Sequence, residues 1–305
     1  MDIPLSTDDA WRSQLLKVAG LFAAQSVLLL AIWLPQVQLW SNSQGASGGN
    51  GLRGGLLAIC FGWCVALACW VATWLTLSSA RGWRWWLESM LVLGAAYWPL
   101  VLTNTAAFRW LRLIDRDVMG GYDGKANYHA VMAGLFVLVV PFALISGVFR
   151  FSMGFRLHWF GAVTNARVGL RELFLLILVV SLHLACGREF LRSAFTWNGW
   201  GIGLWLLTQF AWHLGSYAVT IYLIFLGLTR LMLGSASFQR CGWLLLLCGT
   251  TGLIALMVWR LPAREMGEAV IMVGCMCFGL AANTLTMAFC LRWLGWRLES
   301  ESPWT

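Results

Sequence analysis

The chain has 305 residues, of which 60% are hydrophobic and only 11% charged, with a mean hydropathy of +0.73. A soluble domain of this length covers itself with far more polar groups, so the composition excludes a water-soluble globular fold and calls for lipid as solvent. The net charge of +8 does not point to nucleic acid, because the basic residues are scattered singly between apolar runs instead of forming one face or tail.

The first residues, MDIPLSTDDAWRSQLLK, make a poor cationic leader, and no small-residue cleavage site follows the first apolar run. That run is therefore expected to stay as a membrane helix. About 20 apolar residues span the hydrocarbon core as a helix, which satisfies its own backbone hydrogen bonds there. Runs of this kind fall near 18–34, 56–77, 87–108, 130–149, 170–186, 202–228, 243–259 and 269–291. The expected fold is all-α: a polytopic transmembrane bundle of about eight helices in a single integral membrane domain, 1–305. Many of the 21 Trp, among them Trp33, Trp83, Trp86, Trp110, Trp159, Trp243, Trp259 and Trp293, lie near the ends of these runs, where an aromatic belt belongs.

Between the runs, residues 41–55 are rich in Gly and Ser and read as a flexible exposed loop. Residues 81–86, Arg-Gly-Trp-Arg-Trp-Trp, suit a tight turn at headgroup level. The central basic loop, 150–169, is the topological anchor: Arg150, Arg156, Arg167 and Arg171 face only Glu172 at its end. Cytoplasmic loops retain Lys and Arg, and with the N-terminus inside, 12 of the 21 basic residues fall on the inner side. Both termini are therefore placed in the cytoplasm, and the tail after 291 reads as interfacial and then solvated. Eight of the nine cysteines fall inside apolar runs, where they read as small packing residues.

Chemistry must come from what the runs contain. Their centres hold no Asp, Glu, Lys or Arg, which weighs against proton-coupled carriers and pumps. Glu88, Glu172 and Glu268 sit near helix starts, where the dipole favours a carboxylate that remains wet. The clearest neutral polar cluster is Gln209, His213, Ser216, Tyr217 and Thr220 in the sixth run, whose spacing places them on one helical face. With Asn283 of the eighth run, this stripe either lines a cavity or bonds to neighbouring helices. The loop bearing Asp115, Asp117, Asp123 and His129 reads as a turn-rich solvated connection, with a hard cation or nucleotide sugar as the alternative occupant; it lacks the oxygen spacing of a calcium loop. No catalytic motif and no metal or cofactor set emerges. Gly62 and Ala66 have the small-xxx-small spacing of a close helix contact.

Residues 167–185, RVGLRELFLLILVVSLHLA, resemble a segment of uncharacterised multi-pass membrane proteins of planctomycete bacteria, with Gly169 in place of the usual Ser. The resemblance covers about 20 residues, implies a bacterial envelope protein of unknown role and transfers no functional residue. The expected function is that of a multi-pass integral protein of the bacterial inner membrane, non-enzymatic, a permease-like or membrane-complex subunit. Its expected partners are the lipid bilayer and a membrane protein or second copy of itself. The alternatives are a membrane-embedded enzyme acting on a lipid-linked substrate, sited at the Asp115–His129 loop, and a structural membrane scaffold.

Overall fold

The computed structural model describes residues 7–41, 50–78, 85–96, 139, 141–152, 155–159, 200–234, 236–260 and 266–300. Helices dominate them, as apolar runs with internally satisfied backbones require. In chain order they are α1 (Thr7–Ser41), α2 (Asn50–Leu77), α3 (Trp85–Ala96), α4 (Pro141–Ser152), α5 (Trp200–Leu233), α6 (Ala236–Arg260) and α7 (Met266–Trp293). Two strands, β1 (Phe155–Trp159) and β2 (Trp296–Ser300), pair antiparallel. Four stretches, 12–32, 58–77, 239–259 and 269–293, are long and apolar enough to cross a membrane. The third and fourth expected spans are described only in part, as α3 and α4, and the fifth, 170–186, lies outside the described residues.

The helices outrun the apolar segments that announce them. α1 begins at Thr7 instead of 18. α5 runs to Leu233 and closes with the amide of Gly234 on the carbonyl of Arg230 at 2.9 Å. α7 ends at Trp293, and Gly295 just beyond it has a φ of 87°, the left-handed conformation that turns the chain into β2.

Two close approaches organise the helix packing. α2 crosses α7 at glycines on both sides: a Cβ on Gly62 would lie 1.9 Å from the Met276 carbonyl oxygen, and one on Gly279 would lie 2.1 Å from that of Ile59. The small face expected at Gly62 and Ala66 is thus in contact with α7, and Ala66 is fully buried. α5 and α6 form a hairpin across Gly227, Gly242 and Gly249, each with opposing backbone about 3 Å from where a Cβ would stand.

The tail after 291 and part of the central basic loop depart from the expected loop structure. Residues 155–159 and 296–300 form a two-stranded sheet, with Leu157 opposite Leu298 and Trp159 opposite Trp296. Trp296 and Leu298 alternate inward on β2 and are buried with Leu157, while Ser78 bridges to Leu157 at the end of α2. Trp296 meets Trp74 with ring centroids 4.6 Å apart. The sheet caps the bundle end where α2, α4 and α7 finish, and apolar residues on alternate positions drive it there. His158 is a β1 residue aligned with Arg297.

The surface is apolar as well as the core: Leu144, Trp243, Leu247, Ile254, Phe278 and Phe289 are exposed, while Gln25, Ser26, Thr73, Ser146, Asn283 and Thr284 are buried within the mainly apolar interior.

Candidate functional site

The buried polar groups gather in three places around α2. The first is centred on Tyr222 of α5. Its ring lies among Phe142, Phe149 and Phe225, with centroids 6.0, 6.3 and 5.6 Å away, and Phe225 meets Trp70 edge-on at 5.0 Å. Within this aromatic shell the Tyr222 hydroxyl meets Thr73 Oγ1 at 3.1 Å and the Ser146 hydroxyl. Ser146 in turn meets Thr76 Oγ1, and Thr76 donates to the Ala72 carbonyl at 2.8 Å.

Each hydroxyl has one proton to give, and this fixes the direction of the chain. Thr76 gives its proton to Ala72 O, so it accepts from Ser146; Ser146 then accepts from Tyr222, and Tyr222 from Thr73. Four hydroxyls on three helices are satisfied in one direction only. The chain ends on a backbone carbonyl, and the arrangement ties α2, α4 and α5 together. Arg150, at the end of α4, donates to the Thr76 carbonyl and closes the same corner.

The second place joins α1 to α7. Asn283 Nδ2 donates to Gln25 Oε1 at 3.2 Å, and both residues are buried. The other Asn283 amide atom, Oδ1, is buried with no partner among the described residues. Beside it on α1, Ser26 donates to the Ala96 carbonyl at 2.7 Å and holds α3 against α1.

The third lies under the sheet. Glu88, in the first turn of α3, accepts a hydrogen bond from Ser78 Oγ at 2.8 Å, and Trp85 Nε1 donates to the Leu75 carbonyl at 2.7 Å. Expected to remain wet, Glu88 is instead only 3% exposed, packed against the end of α2 at Ser78. Its place at a helix start and its hydroxyl partner lower the cost of that burial.

Of the residues singled out by sequence, Thr220 and Asn283 lie in different helix seams. On α5 the core face carries Ala218, Ile221, Tyr222, Phe225, Leu226, Thr229 and Leu233. Thr220 lies off that face: its Cγ2 is 2.8 Å from where a Cβ on Gly252 would stand, and its hydroxyl donates to the Tyr217 carbonyl at 2.9 Å. It belongs to the seam between α5 and α6. Asn283 sits instead between α1 and α7. Tyr217 is half-buried beside Thr220; for Gln209, His213 and Ser216 only the helical backbone is described. Asp115, Asp117, Asp123 and His129 lie outside the described residues. Gln25, Thr73, Ser146 and Tyr222 escaped sequence reasoning because their partners lie on other helices, far away in the chain.

These features define a helical bundle that has, among the described residues, four helices of membrane-spanning length and hydropathy. Among protein families, curated proteins and solved structures, nothing matches the chain.

Proposed function

We propose that the chain is a multi-pass integral protein of the bacterial inner membrane, with both termini in the cytoplasm, serving as a non-enzymatic subunit of a membrane complex. The observation that carries this reading is the apolar exterior of helices long enough to span a membrane, with Trp243, Leu247, Ile254, Phe278 and Phe289 all exposed. In water, each exposed large side chain forfeits about 1.5–3 kcal/mol of burial, whereas lipid removes that loss. Between helices in lipid, side-chain hydrogen bonds contribute about 0.6–2 kcal/mol each.

The subunit reading is favoured over the permease-like one because Thr220 packs on α6 and the Asn283 amide bonds to Gln25, so these two candidate lining groups work as packing groups. The shared end of β1 and β2 supports putting the central basic loop and the C-terminal tail on one side, the cytoplasmic one.

Alkaline carbonate extraction should leave the chain in the membrane pellet, and a single cysteine at Arg156 should label only from the cytoplasmic side. Mild-detergent sizing with crosslinking should give an assembly larger than one 34.0 kDa chain. A carbonate-soluble chain overturns the membrane reading. A monomer whose loss of function follows Gln209 and His213 substitutions, with unchanged melting, restores the permease-like reading.

A further inference from the structure

The last turn of α5 is the meeting point of three other elements. Arg292 at the end of α7 donates from Nη1 to the Met232 carbonyl at 2.9 Å. The start of α6 lies against it, with Arg230 Cβ and Leu231 Cγ each 3.2 Å from where a Cβ on Gly242 would stand. β2 also packs on α5. This brings Arg230, Arg240, Arg292 and Arg297 to one end of the bundle.

From residue 228 to 298 the acidic residues are Glu265 and Glu268, at or beside the start of α7 and so at its opposite end. Glu299 follows on β2 and is aligned with Arg156. Two of the arginines are engaged within the fold, since Arg230 is buried against α6 and Arg292 neutralises a carbonyl at the negative end of the α5 dipole. Arg240 is exposed and Arg297 half-buried on β2, so both reach the surface.

Beside them the surface is aromatic. Trp243, one turn beyond Arg240 on α6, is 62% exposed, and Trp293, next to Arg292, is 82% exposed. A soluble anion gives no reason for bare indole rings next to arginines. The boundary between acyl chains and phosphates does, since indoles settle at that depth and guanidinium groups grip phosphate oxygens just outside it.

We propose that this end of the bundle, around the α5 C-terminus, is a docking surface for the phosphate of an anionic phospholipid, with Arg240, Arg292 and Arg297 as its basic groups and Trp243 and Trp293 beside the acyl chains. The proposal rests on the membrane reading above and adds the class of lipid and the residues that select it.

The test is headgroup analysis of lipid retained by the purified full-length chain after reconstitution into nanodiscs of equal parts phosphatidylglycerol and phosphatidylcholine. Phosphatidylglycerol should be enriched among the retained lipids. Arg240→Gln and Arg297→Gln should each lower that enrichment about fivefold, while Arg260→Gln, at the other end of α6, leaves it unchanged. The double lysine variant, Arg240→Lys with Arg297→Lys, keeps the charge and should retain most of the enrichment at unchanged helical circular dichroism. Equal retention of the two lipids by the wild-type chain, or unchanged enrichment in both glutamine variants, overturns the proposal while leaving the membrane reading intact. Displacement of the lipid by millimolar inorganic phosphate also overturns it, in favour of a soluble-anion site. Failure of the chain to reconstitute at all counts against the membrane reading itself.

Discussion

The Asn283 amide nitrogen lies 3.2 Å from the Gln25 amide oxygen, a hydrogen bond between residues 258 positions apart that joins the first described helix to the last. Gln25→Leu strands a buried amide and should cost about 1–3 kcal/mol. Gln25→Leu with Asn283→Leu removes both polar groups and should recover about 0.6–2 kcal/mol of that loss. Thermal unfolding of the four members of this double-mutant cycle in one detergent measures the coupling; strictly additive losses would show that the pair is not coupled.

Tyr222→Phe deletes one hydroxyl but breaks two links, leaving the Thr73 proton without an acceptor and Ser146 without a donor. A loss of about 1–3 kcal/mol is expected. Because the hydroxyls act as one directed chain, adding Thr73→Val to Tyr222→Phe should cost little more than Tyr222→Phe alone. Denaturant unfolding of the single and double variants reads the difference.

Gly62→Ala places a methyl group 1.9 Å from the Met276 carbonyl oxygen, a contact that only separation of α2 from α7 relieves. The expected cost is about 1–3 kcal/mol or more. Gly274→Ala, with nothing within 4 Å of the new methyl group, should instead be neutral or stabilising by up to about 1 kcal/mol through helix propensity. Opposite signs in melting temperature test the glycine crossing directly.

Trp296→Ala removes the ring that covers Trp74 and loosens β2 from the end of α2, with an expected loss of about 3–5 kcal/mol. Limited proteolysis should then cut first between 296 and 300, before the helices yield. An unchanged cleavage pattern would mean that β2 is held without this contact.

Composition and chain order alone carried a good deal of this fold. The 60% hydrophobic content fixes the kind of solvent that the surface needs. The apolar runs located α1, α2, α5, α6 and α7, and the Gly62–Ala66 spacing marked the face of α2 that meets α7. All of these are local properties of a segment, set by the need of each backbone to satisfy itself within its own helix.

Tertiary structure decided which face is inside. A helix in lipid is apolar around its whole circumference, so periodicity does not separate core from periphery as it does in water. The sequence therefore favoured the five-residue stripe beginning at Gln209, while packing put Tyr222 at the hub and turned Thr220 to α6. Likewise, nothing local to Asn283 names Gln25 as its partner, and nothing in 155–159 or 296–300 foretells that they pair. Each depends on a contact between residues far apart in the chain, which only the packed bundle brings together.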